Sequence, residues 1–123
     1  MTPEGQIKDA VKKLLRKYNC YWFMPVQTGY GTAGLDFHCM TNWDSKAIAF
    51  FIETKAPNGV LTERQIVLIA DLRSKWNANV FVIKNEEGLR KLEQWLLSLK
   101  DQSTLLKPRV FKVETSSPTT TSQ

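Results

Sequence analysis

The segment Phe50-Phe51-Ile52-Glu53-Thr54-Lys55 closes an apolar run with a carboxylate and an amine two positions apart. Side chains alternate along a strand, so Glu53 and Lys55 emerge on one face about 7 Å apart. Burying either charge at a core edge costs roughly several kcal/mol unless it finds a partner. Taken alone, the tripeptide reads as a structural ion pair or a strand end emerging into water. Three further residues point elsewhere. Asp36 opens the preceding strand directly after a glycine-rich loop, and a short hairpin would set it close to Glu53. Two carboxylates meeting at a sheet edge repel, and a hard divalent cation such as Mg2+ relieves that repulsion through oxygen ligands. Glu4 heads the stripe Ile7, Val11, Leu14 and Tyr18 of a first helix. At ~100° per residue these five fall within about 80°, so Glu4 points toward the core; otherwise it is a helix-dipole acid worth under about 1 kcal/mol. Gln65 shares a helix face with Leu68, Ile69, Leu72 and Trp76, yet Thr62-Glu63-Arg64-Gln65 also matches a capping box.

The elements that must position these residues follow from periodicity. Thr2-Pro3-Glu4 reads as a helix start, and Ile7, Val11, Leu14, Leu15 and Tyr18 carry the helix to about Tyr18. Residues 21–24 are a short aromatic strand stopped by Pro25, and residues 27–34 are a glycine-rich loop. Residues 35–41 and 47–55 are two strands joined by a turn over 42–46. After Pro57-Asn58-Gly59, a second helix starts near Thr62 and carries Ile66, Ile69, Leu72 and Trp76. Residues 80–83 form a compact strand, and Glu86 opens a third helix with Leu89, Leu92, Leu96 and Leu99 on one side and Trp95 beside them. The order α-β-β-β-α-β-α predicts one α/β domain over residues 1–100, a mixed sheet flanked by helices, because a helix between strands makes a parallel crossover. Beyond Lys100 the pattern fades, and residues 101–123 read as a largely disordered tail in which 109–113 alternate weakly enough for an edge strand.

Composition bounds the class. With 42% hydrophobic and 24% charged residues among 123, the chain has the balance of one soluble globular domain. No apolar run approaches the ~20 residues of a membrane span, and the charged first twenty residues do not suit a signal peptide. Cys20 and Cys39 are too few for a disulfide scaffold, so a reducing cytoplasm is expected. Collagen, coiled coil, repeat array and secreted mini-protein are set aside. Seventeen Lys and Arg against twelve Asp and Glu leave a net charge of +5, compatible with a polyanionic partner. Lys8, Lys12, Lys13, Arg16 and Lys17 crowd the first helix, where the alternative is a solvated face.

Glu4, then Gly34-Leu35-Asp36, then Ile52-Glu53-Thr54-Lys55, then Gln65 make the chain resemble the PD-(D/E)xK nuclease superfamily, and more narrowly the stand-alone VRR-NUC domains of bacteriophages and related replication-repair proteins. Thr2-Pro3-Glu4-Gly5, Met24-Pro25-Val26, Thr28-Gly29-Tyr30-Gly31, Glu53-Thr54-Lys55-Ala56-Pro57 and Val82-Ile83 are similar to that group too. The likeness covers about residues 2–100 and departs at Leu35, where the superfamily's name has proline. The resemblance implies a restriction-endonuclease-like sheet and a metal-dependent endonuclease that leaves a 5′-phosphate and a 3′-hydroxyl. Asp36, Glu53 and the carbonyl of Thr54 would bind Mg2+ or Mn2+, with Glu4 completing the shell directly or through water. Lys55 would orient and help deprotonate the attacking water, and Gln65 would support the site. DNA, branched or otherwise structured, is the implied substrate, and a homodimer supplies two centres. Lys8, Lys12, Lys13, Arg16 and Lys17, with Arg64, Arg73 and Lys75, are candidate phosphate contacts or a solubilising surface, and Tyr30 is a candidate for base stacking. The cytoplasm is the expected location, the host's if the protein is phage-encoded. The alternatives are a non-catalytic DNA-binding module that keeps the nuclease fold, and an RNA-directed nuclease.

Other signals are weaker. Gly29-Tyr30-Gly31-Thr32-Ala33-Gly34 matches a dinucleotide fingerprint, but a strand follows it where a helix is required, so no nucleotide cofactor is expected. His38, Cys20 and Cys39 lack zinc spacing, and adjacent His38 and Cys39 point to opposite faces. Trp22, Phe23, Phe50 and Phe51 read as core aromatics, and Glu86-Glu87 as a helix start.

Overall fold

A computed structural model describes residues 2–26 and 34–106, and over 101–106 the backbone alone. The predicted strand at 109–113, the tail from residue 107 onward, Tyr30 and most of the glycine-rich loop lie outside the described residues, while residues 101–106, expected in the disordered tail, are helical.

The Thr2 hydroxyl accepts the Gly5 N–H at 3.0 Å and Pro3 leaves no donor unsatisfied, so helix α1 runs over Pro3–Lys17. Asn19, at a φ of 56°, turns the chain into β1 (Tyr21–Phe23). β1, β2 (Phe37–Trp43) and β3 (Lys46–Thr54) form an antiparallel meander. Helix α2 (Glu63–Trp76) then crosses over to β4 (Asn79–Ile83), which lies parallel to β3. Helix α3 spans Glu86–Leu106, past Lys100 where its apolar pattern fades. The sheet order is β1-β2-β3-β4, a mixed four-stranded sheet with three helices in the predicted order. The turn expected over 42–46 is tighter. Asp44 and Ser45, at φ 52° and 65°, make a two-residue connection, Asn42 Oδ1 accepts the Ser45 N–H at 3.2 Å, and Trp43 pairs with Lys46. Two successive left-handed residues match the strand twist, so both strands extend to the turn.

α1 and α3 cover one face of the sheet. Val11 and Leu15, with Leu92 and Leu96, bury Phe37, Cys39, Phe50, Ile52 and Ile83. Tyr18 Oη donates to Glu93 at 2.6 Å and Lys17 Nζ at 2.9 Å, tying the end of α1 to α3. Gly88 permits the close start of α3, since a Cβ there would stand 3.3 Å from Ile83 Cα. On the other face α2 sets Ile69, Leu68 and Leu72 against Leu35, Phe51, Val80 and Val82. α2 packs on the β4 side, so its predicted core residues Ile66 and Trp76 are exposed, and so is Phe23 on the far strand β1. Phe23 instead stacks against His38 at 5.2 Å, which meets Phe51 at 5.1 Å. Among the described residues no helix is long and apolar enough to cross a membrane.

Candidate active site

β3 is the central strand of the site, with an antiparallel partner on one side and a parallel one on the other. Its partner register, Phe37 with Ile52, sets Asp36 opposite Glu53. Asp36 sits in a bend one residue before β2, not within the strand as predicted. That offset lets its carboxylate turn back over the strand end. Asp36 Oδ2 accepts the Thr54 N–H at 2.9 Å and the Thr54 hydroxyl at 2.6 Å. The Asp36 N–H in turn donates to Glu53 Oε1 at 3.2 Å. The N–H and C=O of one strand residue point the same way, so the Thr54 carbonyl shares the edge that faces Asp36. Lys55 Nζ is 3.7 Å from Glu53 Oε2, and the Lys55 N–H still donates to Ile83 O at 3.0 Å. The turn that follows is closed by Gly59 N–H to Ala56 O at 2.8 Å, and it packs so closely that a Cβ on Gly59 would meet Lys55 Cβ at 3.4 Å.

Gln65 satisfies both roles that its sequence context offers. Its Oε1 accepts the Thr62 N–H at 3.0 Å, completing the capping box, while its Nε2 donates to Glu53 Oε2 at 2.8 Å. Helix capping therefore fixes which end of the amide faces the acid. Two variants separate the roles. Thr62→Ala loses the hydroxyl that accepts the Gln65 N–H at 3.2 Å, and denaturant unfolding should show a loss of about 1 kcal/mol. It keeps the backbone donor that orients Gln65. Gln65→Ala should remove the cap and the Glu53 contact together, so a site property such as metal affinity should change in Gln65→Ala and not in Thr62→Ala.

Glu4 joins the site only through Lys8. Lys8 Nζ is 2.6 Å from Glu4 Oε2 and 3.9 Å from Asp36 Oδ2. Lys8, expected at a phosphate, thus belongs to the acidic cluster. The sequence signal for the local pair was the i,i+4 spacing of Glu4 and Lys8 on a helix. Of the other cations, Arg73 donates to Val80 O at 2.8 Å, Lys17 is bound to Glu93, and Lys75 pairs with Asp71 at 3.8 Å. Arg16 lies over the Trp22 ring. Lys12, Lys13 and Arg64 make no ion pair among the described residues, and Lys13 and Arg64 are exposed.

Burial, reinforced by the charge of Asp36, pushes the Glu53 carboxyl up to about 7, against the opposing pull of Lys55, the Asp36 amide and Lys8. For Lys8, burial alone would lower the pKa, but the Glu4 hydrogen bond and the charges of Asp36, Glu4 and Glu53 outweigh it and raise it. Side-chain exposure rises from 4% at Glu53 through 17% at Lys55, 19% at Asp36 and 26% at Lys8 to 41% at Glu4. The cluster therefore opens to solvent at the start of α1. Among the described residues no three His, Cys, Asp or Glu side chains are grouped to hold a metal ion. Two mutually repelling carboxylates and a peptide carbonyl do suit a hard cation such as Mg2+, which keeps several waters and commonly takes one or two carboxylates. Glu4, expected to complete such a shell, is paired with Lys8 at 2.6 Å. His38 is packed between two phenylalanine rings, and burial lowers its pKa; Cys39 lies buried on the opposite face, where burial pushes its thiol up to about 12. No protein-family model matches the chain, and no curated protein or solved structure matches it significantly, so the pointers to its chemistry are Asp36, Glu53, Lys55 and Gln65 themselves.

Proposed function

We propose that this protein is a metal-dependent nuclease of the PD-(D/E)xK kind, restriction-endonuclease-like in fold and VRR-NUC-like in its motifs, that hydrolyses phosphodiester bonds in branched or structured DNA. One observation carries this. Asp36 and Glu53 converge at one strand end, where the Asp36 N–H donates to Glu53 Oε1 at 3.2 Å, Thr54 fixes Asp36 Oδ2 through its amide and hydroxyl, and Lys55 Nζ stands 3.7 Å from Glu53. A structural ion pair needs one acid for one amine; two converging carboxylates with Lys55 paired to only one of them are the arrangement of a cation site.

Mg2+ or Mn2+, when bound, would supply an activated water and neutralise charge growing on the phosphate. The protein's own groups do the rest. Asp36 and Glu53, with the Thr54 carbonyl, hold the ion. The amide and hydroxyl of Thr54 fix the Asp36 carboxylate, and Gln65 fixes Glu53. Lys55 orients the attacking water and supports negative charge in the transition state. The phosphodiester enters from the exposed side at Glu4; Lys12, one helical turn beyond Lys8 on α1, and Arg64, beside Gln65 on α2, are its phosphate contacts, while Lys13 lies in the groove between α1 and α3. A homodimer would give two such centres for the two strands of a branched substrate.

The test is a panel of labelled single strands, duplexes, flaps and four-way junctions, in DNA and RNA, incubated with Mg2+, Mn2+ or EDTA. Metal-dependent cutting of the branched DNA is the expected result. Equal DNA binding with and without EDTA, and no cleavage of any substrate, would mark a non-catalytic module. Preferential cutting of the RNA forms would make it an RNA-directed nuclease.

A further inference from the structure

Lys8 is the cation set among the three carboxylates of this cluster. Glu4 stands one helical turn before it on α1, close enough for a 2.6 Å hydrogen bond, and Asp36 Oδ2 lies 3.9 Å from the same ammonium. α1 thus lays the protein's own positive charge over the strand end where Asp36 and Glu53 meet. The ammonium carries a single charge and reaches Glu4 and Asp36, leaving Glu53 to Gln65 and to the longer Lys55 contact. A dication held by Asp36 and Glu53 would stand within a few ångströms of that ammonium, and like charges that close repel strongly even under water-like screening. The same ion would also compete with Lys8 for Asp36 Oδ2.

We propose that Lys8 is a built-in competitor of the divalent cation, whose pair with Glu4 must open before the ion can settle on Asp36 and Glu53. Opening the pair frees Glu4 to face the ion through water, and it turns Lys8 outward to the rim where a phosphodiester would lie. This role rests on the nuclease reading above. It differs from a positioning role, in which Lys8 merely aims Glu4 and its loss would weaken the ion site.

Mn2+ affinity, measured by calorimetry and by the electron paramagnetic resonance of the free ion, separates these roles without recourse to activity. Wild type, Lys8→Met, Lys8→Arg and Asp36→Asn are compared, with circular dichroism confirming the fold of each. Lys8→Gln stands in for Lys8→Met should the latter fail to fold. Lys8→Met should bind Mn2+ about tenfold more tightly than wild type, because a dication no longer meets an ammonium at close range. Lys8→Arg, which keeps the charge, should stay near wild type. Unchanged or weaker binding in Lys8→Met, with wild type binding and Asp36→Asn not, would overturn the competitor role and leave the nuclease reading standing. If neither wild type nor Lys8→Met binds Mn2+, both fall.

Discussion

Asp36→Asn should reduce Mg2+-dependent cleavage by about a thousandfold, equivalent to roughly 4 kcal/mol of transition-state stabilisation, while leaving the protein folded. The substitution is nearly isosteric, and its amide oxygen can still accept the Thr54 N–H and hydroxyl that Asp36 Oδ2 accepts at 2.9 and 2.6 Å. What it removes is charge: one of the two anionic ligands that hold the ion. Lys55→Ala should behave differently. It takes away an amine that is 3.7 Å from Glu53 and belongs to no ligand set, so Mn2+ binding should persist while most activity disappears. Single-turnover cleavage beside calorimetry reads both quantities. Cleavage by Asp36→Asn at the wild-type rate would remove the carboxylate pair from the chemistry. Loss of ion binding in Lys55→Ala would assign that residue to the wrong role.

Glu53→Gln should abolish a pH dependence of stability. Glu53 ionises at about 7 in the folded chain against an ordinary 4.5, so the folded state holds this proton more tightly than the unfolded state does. A carboxyl shifted upward contributes its stabilisation in full below the unfolded pKa and loses it as pH rises through the folded one. At about 1.4 kcal/mol per pH unit, wild type should lose about 3 kcal/mol relative to Glu53→Gln between pH 4.5 and pH 7.5 in the absence of divalent ions. Gln65 donates to Glu53 Oε2, and a second amide there gives a constant offset that cancels when only the slope is compared. Urea unfolding of both proteins across that window measures it. Parallel curves would mean that Glu53 is ionised throughout and that Asp36 does not press upon it. Millimolar Mn2+ should flatten the wild-type curve, since an ion on the carboxylate holds it in its charged form.

The order of elements was legible because each rests on local periodicity. Val11 and Leu15 on α1, and Leu92 and Leu96 on α3, recur at helical spacing, and all four are buried. The hairpin between β2 and β3 was legible for a similar reason, and with it the approach of Asp36 to Glu53. Extents were less so. α2 carries an apolar stripe whose ends, Ile66 and Trp76, are exposed, and Phe23, a core type of residue, is exposed on the edge strand β1. Periodicity reports which face of an element is apolar; it does not report how far its neighbour reaches.

The residue types themselves set the inventory of chemistry here: two acids, an amine and an amide at the ends of strands and the start of a helix. They also determined the Thr62 cap and the pairing of Glu4 with Lys8, since both lie within one helical turn. Tertiary structure alone decided that Lys8 faces Asp36, that Gln65 bonds to Thr62 and Glu53 at once, and that Glu53 loses its water. Those outcomes depend on contacts between groups 12 to 28 positions apart and on the solvent each excludes from the other. Charge and hydrogen-bonding capacity belong to a side chain, whereas dielectric environment and partner distance belong to the packed fold.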